Sequence, residues 1–530
     1  MRKKPCFIGV DVGSRSVRAA VFDIKGKMRS LSTYPIQIFS PRENFMEQSS
    51  RDIWQNTCKA VKDAVKKANI KSSDVKGIGF DATCSLVVLG RQYEPLPVSS
   101  KGNTEHNIIV WMDHRAKAEA GEINETGDEV LKYLGGKISP EMEIPKLLWL
   151  KRRIPETFYK AEKFLDLADF MVYRACGRDI RSVCTKACKW TYLAHEKRWS
   201  RNLFKKLNLE DLFTNQKLGL KISEPGEPAG CLSPLSANEL GLTCDTVVAV
   251  GIIDAHAGGL GAAGAEPENK LVLISGTSSC HITVSRKPLF IPGVWGPYYG
   301  AMFPGMWLSE GGQSATGALI EHVIKESEVY SELKEQSESR GKNIYRTLNR
   351  EVETLRHIEP FPTKDFHILG YFHGNRSPRA NPYLKGGITG LSLNKTKLEL
   401  ARKYLAAIQS IAYGTRHIIE TMNANGYNIQ RIHMCGGGTK NSLWVQEHAD
   451  ITGLEIHFPR EPEAVLLGSA VLGATAAGVY GSIFKAVENM TGAAEKYMPR
   501  AEYRTFHDRK YKVFMEMYAD QMKYEKIMGK

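Results

Sequence analysis

The sequence predicts an α/β protein built as two large domains, and three observations carry the prediction. Its 530 residues exceed what one hydrophobic core commonly serves. A strand–turn–strand pattern opens the chain and returns near its middle, which points to two related halves. Near residue 430 an apolar strand runs into three glycines and then a helical pattern, an order in which backbone amides can approach a ligand.

The elements follow in chain order. Cys6-Phe7-Ile8-Gly9-Val10 is a short apolar run and residues 17–22 are another. Asp11-Val12-Gly13-Ser14-Arg15-Ser16 lies between them, so the segment reads as a hairpin. Residues 52–68 place Ile53, Trp54, Val61, Ala64 and Val65 near helical spacing. The second hairpin has its strands at 270–274 and 280–285, around the turn Ser275-Gly276-Thr277-Ser278-Ser279. Glu266-Pro267-Glu268-Asn269 before it reads as a linker. Domains are therefore expected at 1–265 and 270–485, with a helical tail at 486–530 packed on them. Residues 327–357 are charged and helical and read as a solvated insertion. Residues 370–390 hold many Gly, Pro and Asn and read as a long loop of the kind that often carries function. The strand at 429–435 leads into Gly436-Gly437-Gly438 and a helix from about Ser442.

Composition narrows the function classes. Hydrophobic residues at 42% and charged residues at 25% describe an ordinary globular protein rather than a disordered one. Lys and Arg number 72 against 58 Asp and Glu, a net charge of +14. The basic runs are short, and no zinc-finger spacing, aromatic RNA-binding signature or basic zipper accompanies them. This argues against a nucleic-acid partner and for a basic surface that attracts anionic nucleotides. Ten cysteines are spread along the chain. Cys184 and Cys188 are the only close pair, with no His/Cys pair at zinc spacing, so buried reduced thiols are expected. With no signal peptide read at the start, a reducing, cytoplasmic compartment is expected. Residues 464–484 carry no charge and could span a bilayer. Their Gly and Ala content instead suggests a buried helix packed closely on a neighbour, and no membrane association. A homodimer is one arrangement the sequence admits.

Several residues suit phosphate chemistry. Gly13 with Ser14 and Ser16, and Gly276 with Thr277 and Ser278, offer donors on an unobstructed backbone. Two such loops on opposite halves can clamp one polyphosphate. Asp11 can hold Mg²⁺ or simply cap its turn. Asp254, between an apolar strand and a small-residue helix start, can act as general base or cap that helix. His256 beside it reads as a packed histidine.

These motifs resemble the FGGY carbohydrate kinases over about residues 6–485. The resemblance rests on Asp11-Val12-Gly13-Ser14, Gly251-Ile252-Ile253-Asp254, Ser275-Gly276-Thr277-Ser278, Glu310-Gly311-Gly312-Gln313, Arg376-Ser377-Pro378 and Gly436-Gly437-Gly438. It implies two ribonuclease-H-like domains of the actin/hexokinase superfamily around a central cleft, with a sugar deep inside and ATP with Mg²⁺ above it. By position it implies Asp254 as catalytic base, with Asp11 and Asp254 toward the metal. Gly13, Ser14, Arg15, Ser16 and Arg18 fall on the first phosphate loop, and Gly276 and Thr277 on the second. Gly317 and Glu321 fall on the nucleotide-side helix, and Gly437 and Asn441 in the adenosine motif. Ser14 replaces the Thr of many members and keeps the hydroxyl, while Arg15 is bulky for its loop.

Within the family the chain looks most like the ribulokinases, and among them the D-ribulose kinases. The carriers are Asp81-Ala82-Thr83-Cys84-Ser85-Leu86-Val87, Trp111-Met112-Asp113-His114-Arg115, Cys188-Lys189-Trp190 and residues 251–261. This implies Asp81, Thr83, Cys84, Lys189, Asp254 and Glu310 at the sugar, where carboxylates accept and Lys donates hydrogen bonds. Read alone, Lys189 could lie on the surface, Glu310 could be a cap, and Trp111 and Trp190 could be core or sugar-stacking. The expected activity is ATP-dependent conversion of D-ribulose to D-ribulose 5-phosphate, with L-ribulokinase and D-xylulose kinase as near alternatives. A non-catalytic actin-like ATP-binding protein is the alternative of another class, and the presence of Asp254 weighs against it.

Overall fold

Two seven-stranded sheets dominate the strand structure, beside a four-stranded sheet and three two-stranded ones among the described residues. The computed structural model describes residues 5–99, 102–214, 216–219 and 221–529. The first sheet holds β1 (Cys6–Val12), β2 (Ser16–Asp23), β3 (Met28–Pro35), β4 (Val75–Ala82), β5 (Pro228–Cys231), β6 (Val247–Ala249) and β7 (Ile252–Ile253). Its order is β5-β6-β4-β1-β2-β3, with β7 paired to β4. The second sheet holds β8 (Lys270–Ser275), β9 (Ser279–Ser285), β10 (Trp295–Tyr299), β11 (Trp307–Gln313), β12 (Arg431–Gly436), β13 (Glu455–Pro459) and β14 (Ala493–Tyr497). Its order is β10-β11-β9-β8-β12-β13-β14.

The two sheets share a plan. In each, an antiparallel hairpin, β1–β2 or β8–β9, is flanked on one side by a further antiparallel strand and on the other by a parallel one. Both hairpins coincide with the two that the sequence marks. Central strands such as β1 are buried along their whole length, which their continuous apolar runs require.

Nine helices matter for the site: α1 (Ser50–Ala68), α2 (Val183–Lys189), α3 (Asp254–Ala263), α4 (Gly317–Lys325), α5 (Ile344–Ile358), α6 (Lys397–Ala424), α7 (Ser442–Thr452), α8 (Ala464–Ala476) and α9 (Arg504–Ile527). The region read as a solvated insertion is partly core. Helix α5 buries Leu348, Val352 and Leu355, because its apolar residues recur on one face. Helix α9 packs Tyr511 and Phe514 against Tyr371 and Tyr413.

The uncharged stretch after Pro462 is explained by α8. Among the described residues no helix is long and apolar enough to cross a membrane. Helix α8 instead packs on β1 and β4 of the first sheet and on α3, while α3 packs on β8 and β12 of the second. Each half of the chain thus sends a helix across to meet the other. The contacts are at backbone distance. A Cβ on Gly9 or Gly79 would lie 1.9 or 2.0 Å from the carbonyl oxygen of Leu466 or Ser469. One on Gly468 would lie 1.9 Å from that of Ala257, and one on Gly261 equally close to that of Ala464.

Gly468→Ala is therefore expected to destabilise the protein by about 1–3 kcal/mol through overpacking. Gly121→Ala, in the helix Lys117–Glu125 with no atom within 4 Å of the added Cβ, should be neutral or stabilising. Urea unfolding of the two variants checks this, and equal midpoints would contradict it.

Candidate active site

Sheet register gathers the acidic residues. Asp11 on β1 lies opposite Asp81 on the parallel strand β4, and β7 places Ile252 opposite Asp81 as well. Asp254 follows two residues later as the first residue of α3. Three carboxylates from distant parts of the chain therefore meet at one end of the first sheet.

Each has a distinct environment. Asp11 accepts from Arg18 Nε at 2.8 Å and Nη2 at 2.5 Å, and Arg18 Nη1 reaches Glu463 at 2.5 Å. Glu463 immediately precedes α8, so this ion pair joins the two halves. Asp81 is fully buried and accepts from Ser469 Oγ on α8 at 2.6 Å. Burial and the adjacent Asp11 charge hold its carboxyl well above the usual range. Asp254 is partly exposed. Desolvation and Asp11 push its carboxyl up to about 6. Among the described residues its Oδ1 accepts only the neighbouring Ala255 N–H, at 2.7 Å, while Ile253 occupies the cap position without a side-chain bond. Capping thus does not account for Asp254, nor for Asp11, whose partner is a guanidinium.

A second cluster adjoins the first. Glu310 lies within β11, opposite Ile282 and Trp295, and is no cap. Arg376 Nη2 donates to its Oε1 at 2.5 Å, and His256 Nε2 stands 3.4 Å from its Oε2. Burial alone would raise the Glu310 pKa, but Arg376, Lys189 and His256 outweigh it and hold the group well below the carboxylate range. The Trp295 ring lies 4.0 Å from the Arg376 guanidinium and 4.3 Å from Lys189 Nζ. Lys189, at the end of α2, is buried rather than on the surface, and Cys84 beside it is buried too. Thr83 lies 3.1 Å from the Ser85 hydroxyl, which accepts from Trp111 N–H at 3.1 Å. Trp111 Nε1 then donates to Ser14 Oγ at 3.0 Å, so it braces the first loop. Trp190 is fully buried with Nε1 directed to Asp166 at 3.3 Å, a core residue.

The two turns close alike. Gly13 N–H donates to Ser16 O at 3.0 Å and Gly276 N–H to Ser278 O at 2.9 Å. Ser14 carbonyl accepts from Gln48 Nε2 at 2.8 Å, and Arg15 is exposed on the turn. Gly317 N–H and Thr316 Oγ1 both donate to Gly276 O at 3.0 Å, fixing the second loop to the start of α4. Thr277 is exposed there. Gly436 has φ +89° and a Cβ on it would lie 2.5 Å from Ser275 O, so only glycine brings this strand end so close to the second loop. Gly437 follows in a short helical turn. Asn441 caps α7, accepts from Asn349 Nδ2 at 3.0 Å and donates to Tyr404 Oη at 2.7 Å, so its side chain is committed to the fold. Glu321 is exposed and paired with Lys325 at 2.5 Å.

The structure thus joins Asp11, Arg18, Asp81, Cys84, Lys189, Asp254 and Glu310 into one connected set, while Arg15, Glu321 and Asn441 stand outside it. Sequence reasoning gave no role to Arg376, Trp295, Glu463 or Ser469. Arg376 carried a signal, since it opens the Arg376-Ser377-Pro378 motif of the Gly- and Pro-rich loop. Ser469 carried none, being 388 residues from Asp81. Cys184 and Cys188 are buried free thiols, as expected, and the fold adds a neighbour that spacing does not show, since His256 Nδ1 lies 3.0 Å from Cys184 Sγ. Spacing rules search along the chain, and this neighbour arrives through the fold.

Comparison with known proteins agrees with this geometry. Residues 6–261 match the N-terminal domain of the FGGY family of carbohydrate kinases, and residues 271–477 match its C-terminal domain. An FGGY carbohydrate kinase domain-containing protein of Xenopus laevis is 46% identical over 99% of this chain and 98% of its own. A D-ribulokinase of Saccharomyces cerevisiae is 40% identical over 89% of this chain and 72% of its own. The ligand-bound xylulose kinase of Lactobacillus acidophilus shares the two-domain fold, with a TM-score of 0.82 at 20% identity, covering 97% of this chain and 98% of that one. The chain belongs to the FGGY family of carbohydrate kinases. It is accordingly an enzyme, one that phosphorylates a sugar.

Arg376→Met should cost about 3–5 kcal/mol of stability, because it leaves the Glu310 carboxylate buried without its main counter-charge. Denaturant unfolding checks this, and a loss below about 1 kcal/mol would show that Arg376 is not that counter-charge.

Proposed function

We propose that the chain transfers the γ-phosphoryl group of ATP to a ketopentose, D-ribulose foremost, giving D-ribulose 5-phosphate. The observation that carries this reading is the adjacency of a partly exposed carboxylate, Asp254, to the cluster of buried Lys189 and Glu310 with Arg376. Similarity to a named D-ribulokinase supports the choice of sugar.

Asp254 takes the proton of the sugar 5-hydroxyl as that oxygen attacks phosphorus. A carboxyl with a pKa of about 6 is largely ionised at neutral pH, yet basic enough to accept a proton. Glu310, held ionised, accepts hydrogen bonds from sugar hydroxyls, and Lys189 donates to the carbonyl or a hydroxyl. Thr83, Cys84 and Asp81 shape the wall beside them. The hydroxyls of Ser14, Ser16 and Thr277 and the Arg18 guanidinium face the phosphates. Gly317, Gly437 and the turn before Asn441 make room for the nucleoside. Asp11 and Asp254 fit a divalent cation, because burial and then the Asp11 charge already raise the carboxyl of Asp254, a charge a cation would offset. Mg²⁺ bound there would neutralise developing phosphate charge.

ADP release measured across D-ribulose, L-ribulose, D-xylulose and glycerol tests the choice of sugar. Inverting one hydroxyl strands a buried polar partner at about 1–3 kcal/mol, so D-ribulose should lead the other pentoses in kcat/KM by roughly ten- to hundredfold. D-Xylulose or L-ribulose ahead by about tenfold would overturn the sugar assignment and leave the kinase assignment standing.

A further inference from the structure

Beside the proposed sugar-binding cluster lies a set of side chains whose two thiols phosphoryl transfer does not use. Cys184 and Cys188 stand four residues apart on one face of α2, and His256 is the third residue of α3. All three are fully buried. Cys184 Sγ lies 3.0 Å from His256 Nδ1, and the two sulfurs and the imidazole nitrogen are all within 4.8 Å of one another.

From this geometry we propose that Cys184, Cys188 and His256 form a binding site for a thiophilic cation of the Zn²⁺ class. Three features converge on that chemistry. Two thiols and an imidazole select Zn²⁺ over the hard cation Mg²⁺, which prefers oxygen. Three protein ligands leave the fourth tetrahedral position to a small non-protein ligand. The other ring nitrogen, Nε2, already faces the Glu310 carboxylate at 3.4 Å, the outer partner that commonly fixes a metal-bound imidazole. Binding replaces the protons held among the two sulfurs and Nδ1, so uptake releases protons.

The site would staple α2 to α3. Helix α2 ends in Lys189 directly after Cys188, and α3 begins with Asp254 two residues before His256. A bound cation would therefore fix the spacing between these two residues. That consequence rests on the catalytic reading above, whereas the existence of the site does not.

Titration of the reduced full-length chain with Co²⁺ tests it. The expected result is a thiolate-to-metal charge-transfer band with intense four-coordinate visible bands, saturating at one equivalent and displaced by Zn²⁺. Cys184→Ala and Cys188→Ala should each abolish saturation, while Cys84→Ala, at a buried thiol outside the set, should retain it. Glu310→Gln should weaken the metal roughly 10- to 100-fold without removing the band. Zn²⁺ should raise the thermal midpoint of the wild type and not that of the cysteine variants. Absence of a thiolate band in the wild type, or a band unchanged in both cysteine variants, overturns the proposal. Should the cysteine variants fail to fold, the wild-type stoichiometry and spectrum alone decide.

Discussion

The close crossing of α3 and α8 is the constraint on which the rest of the molecule depends. Each helix belongs to one half of the sequence and packs on the sheet of the other half. Glycines at 9, 79, 261 and 468 remove the side chains that would hold the backbones apart. The approach places α8 where Ser469 binds Asp81 and where Glu463, just before the helix, binds Arg18. It also places the first residue of α3, Asp254, beside Asp11. A helix so poor in polar residues is explained by its burial against the first sheet on one side and α3 on the other.

The crossing forces acidic groups together, and the energetics of that crowding shape the site. Two carboxylates about 4 Å apart repel by about 4 kcal/mol at an effective dielectric of about 20. The fold meets this cost differently at each end. At Glu310 three cationic groups outweigh burial and the carboxylate stays ionised. At Asp254 and Asp81 desolvation and Asp11 dominate, and both are raised. One site therefore holds a carboxylate kept ionised beside two that are raised, a division set by which counter-charges surround each.

Much of this was legible in the sequence because it is local. Both hairpins, the glycine triplet and the helix starting at Asp254 follow from residues that are neighbours in the chain. Asp11 and Asp254 were visible as carboxylates at strand ends. What stayed hidden depends on tertiary approach. Arg376 finds Glu310 across 66 residues, Ser469 finds Asp81 across 388, and His256 finds Cys184 across 72. Chain order alone suits Asp254 and Glu310 to capping as well as to chemistry, and their surroundings in the fold separate the two. The helical stretch at 344–358 reads as solvated from its charge, because only its spacing reveals the buried face of Leu348, Val352 and Leu355.

The central claim is that Asp254 is the proton acceptor at which the two halves of the chain cooperate. Its most direct measurement follows transfer of the labelled γ-phosphoryl group of ATP to D-ribulose in the wild type and in Asp254→Asn. Asparagine keeps the shape and cannot take the proton, so the account predicts unchanged ATP binding and a rate of sugar phosphorylation lower by about 10²- to 10⁴-fold. Phosphorylation at a near wild-type rate in the variant would contradict it.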